Sequence, residues 1–357
     1  MEQFLFNETF RLEHYGCQTF SEEKYPASER GSVFLGVLYI LLFTFYDVLY
    51  IPVLVIMYST DMFKNSCFKI MFYLGIVDVT SVAINCGLTG YLCIIGAVYC
   101  THPFTIFISG SIVTALWCTA CMGCAILAFN RCLEITSHEW AEWLFGGAKT
   151  YLWLCLPTTY FWLVLIFTTP TIFSGFYCGY FSDPYIGMHE EPDQWYNDLQ
   201  HTINNCASLT TLCCLYMYLC IILYRKTRRE NGAGNRNFMK IQVPTQLQIL
   251  IQAVAICVLN TLAAGIYCYI QFFSVPLVII TIAQLTWQGS QGAAPIIFLI
   301  FNKTIRRDCF RMVGLDRLVA TLSTVSVVDI SPKAKPGATS GSGPRSPVGA
   351  GGPSFVL

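Results

Sequence analysis

The chain has 357 residues and no net charge; it is 55% hydrophobic and only 12% charged, with a mean hydropathy of +0.54. A soluble domain carries roughly twice that charged fraction, so most soluble-enzyme readings are excluded and an integral membrane protein is indicated. Seven long apolar stretches account for the composition, and Lys and Arg crowd the loops on one side of them.

Residues 1–32 form a polar, acidic amino-terminal segment, expected to be an extracellular tail. Asn7-Glu8-Thr9 in this segment is a glycosylation sequon, which makes Asn7 a candidate acceptor. The triplet is weak by itself, because Asn302-Lys303-Thr304 also matches. The segment lacks a basic start followed by an apolar core, so the first helix is expected to serve as an uncleaved signal.

Seven apolar segments follow, at about 33–58, 67–95, 104–131, 149–174, 201–224, 245–272 and 275–301. Each reaches the roughly 20 residues that a bilayer core about 30 Å thick requires. Lipid cannot satisfy bare backbone groups, so each is predicted to be helical. The period-two alternation of a membrane barrel is absent. The predicted fold class is an all-α seven-transmembrane bundle occupying 33–301. An amphipathic juxtamembrane helix is expected over 302–318 and a disordered cytoplasmic tail over 319–357.

Orientation follows from charge. One side holds 1–32, the loop near 96–103, the loop 175–200 and the turn near Ser274; Arg11, Lys24 and Arg30 are its only Lys/Arg. The other side holds the rest, including Arg225, Lys226, Arg228 and Arg229 in one run. Lys/Arg excess marks the cytoplasmic face, so the amino terminus is expected outside and the carboxyl terminus inside.

Most of the 18 cysteines lie in the apolar stretches, where Cys acts as a small apolar residue. Cys17, Cys100 and Cys178 fall on the outer side, where disulfides persist. Cys100 just precedes the third helix and Cys178 just follows the fourth, so a Cys100–Cys178 bridge is expected to pin the loop 175–200 over the bundle mouth. Cys17 would then pair with Cys93 or Cys206, or stay free. Cys118, Cys121 and Cys124 are spaced as a metal motif, but they sit mid-helix without a nearby His. They are read as a small-residue packing stripe, and no metal is expected.

Charged residues at membrane depth are functional by default. Arg131 ends the third helix in Asn130-Arg131-Cys132. Asp47 and Asp78 lie within the first and second helices, and Asp78 is predicted to face Ser290 and Gln291 on the seventh. Pro295 follows in Gly292-Ala293-Ala294-Pro295-Ile296-Ile297-Phe298 and marks a kink. Beyond Asn302, Ile305, Cys309, Phe310 and Val313 form one side of an amphipathic stretch and Arg306, Arg307 and Arg311 the other. That is an interfacial helix on anionic lipid, with Cys309 a candidate palmitoyl site.

Together these features resemble a G-protein-coupled receptor. Asn130-Arg131-Cys132 stands where the common group has Asp-Arg-Tyr, and Ala294-Pro295-Ile296-Ile297-Phe298 where it has Asn-Pro-x-x-Tyr. The sixth helix lacks the usual Trp-x-Pro. The finer resemblance is to the nematode chemoreceptors of serpentine receptor class T. It is carried by Tyr50-Ile51-Pro52, Asp78, Asn130-Arg131-Cys132, the run Gly175 to Pro184, Pro295 and Asn302-x-Thr304-Ile305-Arg306, over about residues 15–315.

The resemblance implies a chemosensory receptor that couples to a heterotrimeric G protein. It implies a switch at Asp78, Ser290, Gln291, Pro295, Phe298 and Asn302. Coupling would use Asn130, Arg131 and Cys132 with Arg225, Lys226, Arg228 and Arg229. An outward cavity would be lined by Val113, Trp117, Tyr267, Gln271, Gln284, Trp287 and Gln288. The outer half of the third helix has no Asp or Glu, so a neutral small ligand, or a short peptide on the acidic loop, is expected rather than an amine. The plasma membrane is the expected location, with the sensory cilium as its finer form.

Thr321, Ser323, Thr324 and Ser326 offer phosphorylation sites for an arrestin-like partner, and Phe355-Val356-Leu357 has the form of a PDZ ligand. No cofactor, nucleic-acid partner or enzymatic activity is expected. A ligand-gated cation channel of insect odorant-receptor type, with its amino terminus inside, and a transporter with internal repeats are the competing readings. The charge count opposes the first, and no repeat supports the second.

Overall fold

The computed structural model describes residues 1–18, 20–188, 194–196, 198–232, 251, 254–256, 258–270, 273 and 275–314. Five helices are long and apolar enough to cross a membrane: Val33–Ser59, Ser66–Ile94, Pro103–Thr136, Lys149–Phe167 and Leu199–Ile222. A shorter apolar helix runs Val254–Ile270. A further span, the final one, is divided at Ala293 into Leu277–Gly292 and Ala294–Phe301. In chain order these are the first to seventh spans. The predicted C-terminal tail, with its phosphorylation and PDZ elements, lies outside the described residues, as does Gln271.

The third span is the bundle's axis. It is 78% buried over its most apolar window, against 28% for the first and fourth spans and 17% for the fifth. Its small residues, Gly110, Ala115, Ala120, Gly123 and Cys124, allow this by admitting neighbours to close range. A side chain at Gly110 would run into the Thr171 carbonyl.

Span ends differ from the sequence expectation where local chemistry overrides hydropathy. The fourth stops at Phe167 rather than near 174. Pro170 disfavours helix in the residue before it, and Ile172–Ser174 instead pairs antiparallel with Gly179–Phe181. The resulting hairpin is inserted into the bundle, with Phe173 fully buried. The third span runs past Arg131 to Thr136.

The seventh span breaks because Pro295 has no N–H to give the Gln291 carbonyl four residues back. That freed carbonyl accepts the Tyr50 hydroxyl from the first span at 2.5 Å. The second span contains a π-helical turn, Ala83–Leu88. Such wide turns shift the hydrogen-bond ladder and expose backbone carbonyls.

The amino-terminal segment is a packed cap on the bundle. Phe4 is buried and its ring stacks on Phe107 of the third span at 3.6 Å; burying such a side chain is worth about 1.5–3 kcal/mol. The Met1 amino group donates to the Ile166 carbonyl at 3.0 Å. Gly31, at φ +79°, passes so close to the second span that a side chain there would collide with the Cys93 carbonyl. Asn7 is exposed and its side-chain oxygen caps the helix Glu8–His14. Its amide nitrogen takes no part in that bond.

The disulfides differ from the expected pairing. Cys17 bonds Cys100, and Cys93 bonds Cys178. The inward hairpin carries Cys178 over the end of the second span, at a Cα–Cα distance of 5.4 Å from Cys93. Cys100 is left to the amino-terminal cap, at 5.5 Å from Cys17.

The final helix, Lys303–Met312, starts at Asn302, whose side-chain oxygen accepts from the Thr304 and Ile305 N–H groups. Ile305 and Cys309 face the core, while Arg307 and Arg311 are exposed. Val313 lies past the helix end and is 62% exposed, so it does not extend the apolar side. Cys309 is 4% exposed; its thiol would reach an acyl donor only if this helix lifted.

Candidate functional site

Three sites run along the bundle axis, the first two joined by hydrogen bonds. At the cap end, Trp117, Tyr180, Tyr267 and Trp287 enclose a cavity of about 20 Å³ with Thr114, Thr171 and His201. That is space for about one water. The rings of Trp117, Tyr180 and Tyr267 meet Trp287 edge-on at 6.1, 5.6 and 5.4 Å, the arrangement that ring quadrupoles favour. Trp117 donates its indole N–H to Asn205 at 2.8 Å. The Thr114 and Thr171 hydroxyls meet at 2.8 Å, as do those of Thr89 and Tyr180. The Trp287 indole nitrogen is buried without a partner. Among the described residues the cavity has no Asp, Glu, Lys or Arg in its wall. Just above, Asp198 caps the fifth span by accepting the His201 N–H at 2.9 Å; burial pushes its carboxyl above the usual range.

Of the expected pocket residues, Trp117, Tyr267 and Trp287 are in this wall. Val113 is buried in the same apolar cluster as these rings but does not line the cavity. Gln284 and Gln288 also turn away. Both amides donate to Asn85 on the second span, to its side-chain oxygen at 2.7 Å and its carbonyl at 2.8 Å respectively. Thr114, Thr171, Tyr180 and His201 were not expected. Tyr180 lies in the Gly175–Pro184 run, but hydropathy gives no sign that this segment folds inward.

The second site is a polar chain through the bundle middle. Asn85 is its node: it receives Gln284 and Gln288 and donates its own amide to Gln291 at 3.0 Å. Tyr267 continues the chain to the cavity by donating to Gln284 at 3.0 Å. Asp78 is buried as expected, but its partner is the Tyr50 hydroxyl at 3.0 Å. Tyr50 in turn reaches the Gln291 carbonyl that Pro295 released. Ser290 is not part of this chain; its hydroxyl bonds the Trp287 carbonyl in its own helix at 2.8 Å. Phe298 is buried in the apolar core below.

Asn85→Ala is expected to leave the Gln284 and Gln291 amides short of partners, at about 1–3 kcal/mol each. A fall in the thermal midpoint of the purified receptor checks this; an unchanged midpoint would show the chain to be energetically idle.

The third site is at the opposite end. Arg131 is 7% exposed. Its guanidinium donates to Asn130 at 2.7 Å and lies 3.7 Å from Glu134, one turn on. Asn130 donates to Ser66 at 3.1 Å, and Ser66 reaches Glu134 at 3.5 Å, which closes a ring between the second and third spans. Glu134 was not anticipated, because the third span was expected to end at Arg131. Cys132 is turned to the fifth span and donates its thiol to the Leu215 carbonyl at 3.5 Å. Arg225 and Arg228 are exposed, and the side chains of Lys226 and Arg229 lie outside the description.

Comparison with known proteins identifies the family and the fold. Residues 1–321 match the family model described as "Serpentine type 7TM GPCR chemoreceptor Srt". The chain is 25% identical over 321 residues to "Serpentine receptor class T-55" of Caenorhabditis elegans, covering 88% of this chain and 84% of that protein. Its fold is similar to the crystal structure of squid rhodopsin at a TM-score of 0.55 and 12% identity, over 83% of this chain and 93% of that one. The chain is a member of the serpentine class T family of seven-transmembrane chemoreceptors, multi-pass membrane receptors of the G-protein-coupled type.

Proposed function

We propose that this receptor detects a small, neutral, partly apolar ligand in the cavity around Trp287 and passes the event to a heterotrimeric G protein at the Arg131 end. The observation that carries the reading is the wall of the cavity: aromatic rings, two threonines, a histidine and a buried indole N–H with no partner. Such a wall offers one unpartnered hydrogen-bond donor and no counter-ion. It suits a carbonyl or ether oxygen on an apolar body and leaves an ammonium or carboxylate unpaired.

The cavity holds little more than a water, so ligand entry requires displacement of the hairpin or of Tyr267. A ligand changes the receptor's balance only by binding one state better. The chain Tyr267–Gln284–Asn85–Gln291–Tyr50–Asp78 supplies a continuous set of contacts along which that preference acts.

In this proposal the amino terminus is outside and the carboxyl terminus inside. Asn7 carries a glycan, and the receptor works at the plasma membrane, in its finer form in a sensory cilium. Lys226 and Arg229 join Arg225 and Arg228 at the G-protein face, and arrestin-like and PDZ partners engage the tail.

The test is a tag at each terminus in intact cells, with glycosidase treatment, followed by a guanine-nucleotide-exchange screen against neutral small molecules. An inside amino terminus would overturn the reading. Thr114→Ile adds about one methylene's bulk beside the cavity, which a packed core tolerates better than a large ring, and is expected to weaken the response to any active compound while surface expression persists. An unchanged response would place the ligand elsewhere.

A further inference from the structure

The sixth span, Val254–Ile270, presents a narrow inner face to the bundle. Ile256, Asn260, Ala263 and Ala264 are buried, and Tyr267 follows at the same helical spacing. Val258, Leu262 and Tyr269, on the other side, are half exposed. Apolar hold scales with the area buried, and two alanines bury little. Among the described residues of this span, Asn260 is the one buried residue with a polar side chain.

That side chain crosses to the third span. The Asn260 amide donates to the Cys124 sulfur at 3.6 Å and to the Ile256 carbonyl of its own helix at 3.2 Å. Cys124 is buried in the same apolar cluster as Tyr50, Leu127 and Phe298. The bond therefore joins the sixth span to the neighbourhood in which Tyr50 meets Asp78. The cysteine stripe that packs the third span also carries a polar contact at Cys124.

Two properties make this bond releasable. A sulfur is a weak acceptor, so little is lost when it lets go. The amide also keeps its Ile256 partner when the spans part, which limits the cost of leaving a buried donor unpaired. Its position is central. Tyr267 stands two turns away, about 10 Å along the helix, in the wall of the cavity around Trp287. Towards the other end, Val254 packs beside Cys132, the neighbour of Arg131.

We propose that Asn260 and Cys124 form the latch that holds the sixth span on the third, and that displacement of Tyr267 by ligand releases it. The proposal rests on the reading of the central cavity and the Arg131 end given above. Release frees the Val254 end of the span to leave Cys132. Asn260 acts as a positioning residue: it touches neither ligand nor G protein.

Hydrogen exchange of the purified full-length receptor in lipid nanodiscs, with neither ligand nor G protein present, reads the latch by itself. Cys124→Ser supplies a better acceptor and should slow exchange in the peptide containing residues 254–270 by about threefold. Cys124→Ala removes the acceptor and should speed it by about threefold, the factor of one weak buried hydrogen bond acting on a local opening. Both replacements are smaller than the thiol, so a side chain that only packed would shift exchange the same way in both. Asn260→Thr keeps a bond to its own helix but does not reach Cys124, and in that background the effect of Cys124→Ser should vanish. Same-direction or absent shifts, or a serine effect that survives Asn260→Thr, would overturn the latch. Basal nucleotide exchange in cell membranes should rise in Cys124→Ala and fall in Cys124→Ser. Opposite hydrogen-exchange shifts with unchanged nucleotide exchange would keep the latch and overturn the G-protein reading instead.

Discussion

A receptor carrying Cys93→Ser is expected to reach the cell surface at about a tenth of the wild-type level or less. The bridge from Cys93 to Cys178 closes a separation of 85 residues and holds the inward hairpin against the second span. Losing a native disulfide of this kind typically costs about 2–5 kcal/mol, a large fraction of a total stability of about 5–15 kcal/mol. The hairpin also carries Tyr180, whose ring forms part of the central cavity and whose hydroxyl bonds Thr89. Surviving receptor should therefore lose its response as well.

Cys17→Ser removes the other bridge, which fastens only the amino-terminal cap, and should be milder. Alkylation of the freed partner separates the pairings. In Cys17→Ser the thiol that becomes reactive should be Cys100; in Cys93→Ser it should be Cys178. Reactivity at Cys100 in the Cys93→Ser protein would show that the bridges are arranged differently.

The sequence made the bundle legible because a lipid-facing helix has to be long and apolar, and both properties are written in composition. It also put Trp117 and Trp287 at one depth, by helical spacing from Arg131 and Pro295, and offered Tyr267 from the sixth helix to close the site. What it did not convey is rotation. Gln284 and Gln288 stand at the right depth but face Asn85, and no apolar stripe set their direction on a helix apolar nearly all round.

Asn85 itself was invisible for a related reason. It lies in a π turn, and a wide turn leaves no mark on a 3.6-residue period. The Asp78 assignment shows the same limit. The residue was recognised as buried, but its partner Tyr50 comes from the first span and meets a carbonyl that only the Pro295 break makes available. The disulfide error came from treating the loop after the fourth span as a lid laid across the mouth. It folds down into the bundle instead, and that exchanges the partners.

At the opposite end, Arg131→Ala and Glu134→Gln are expected to shift signalling in opposite directions. In this structure Arg131 is held within its own helix by Asn130 and Glu134, and the ring is tied to the second span through Ser66. A G protein that recruits the guanidinium must first draw it from that ring. The pair is only partly desolvated, with Glu134 at 23% side-chain exposure, so the hold is modest, on the order of 1 kcal/mol.

Glu134→Gln weakens it without opening a cavity and should raise basal nucleotide exchange by about fivefold, the factor that 1 kcal/mol gives in a two-state balance. Arg131→Ala removes the group the partner would contact. It should abolish exchange while surface expression persists, since Asn130 keeps Ser66 as a partner. Nucleotide exchange in membranes from cells expressing each variant, normalised to surface receptor, measures both. An Arg131→Ala variant with wild-type exchange would sink the coupling role assigned to this end. A Glu134→Gln variant at wild-type basal rate would mean that the ring orders the helix end without restraining the switch.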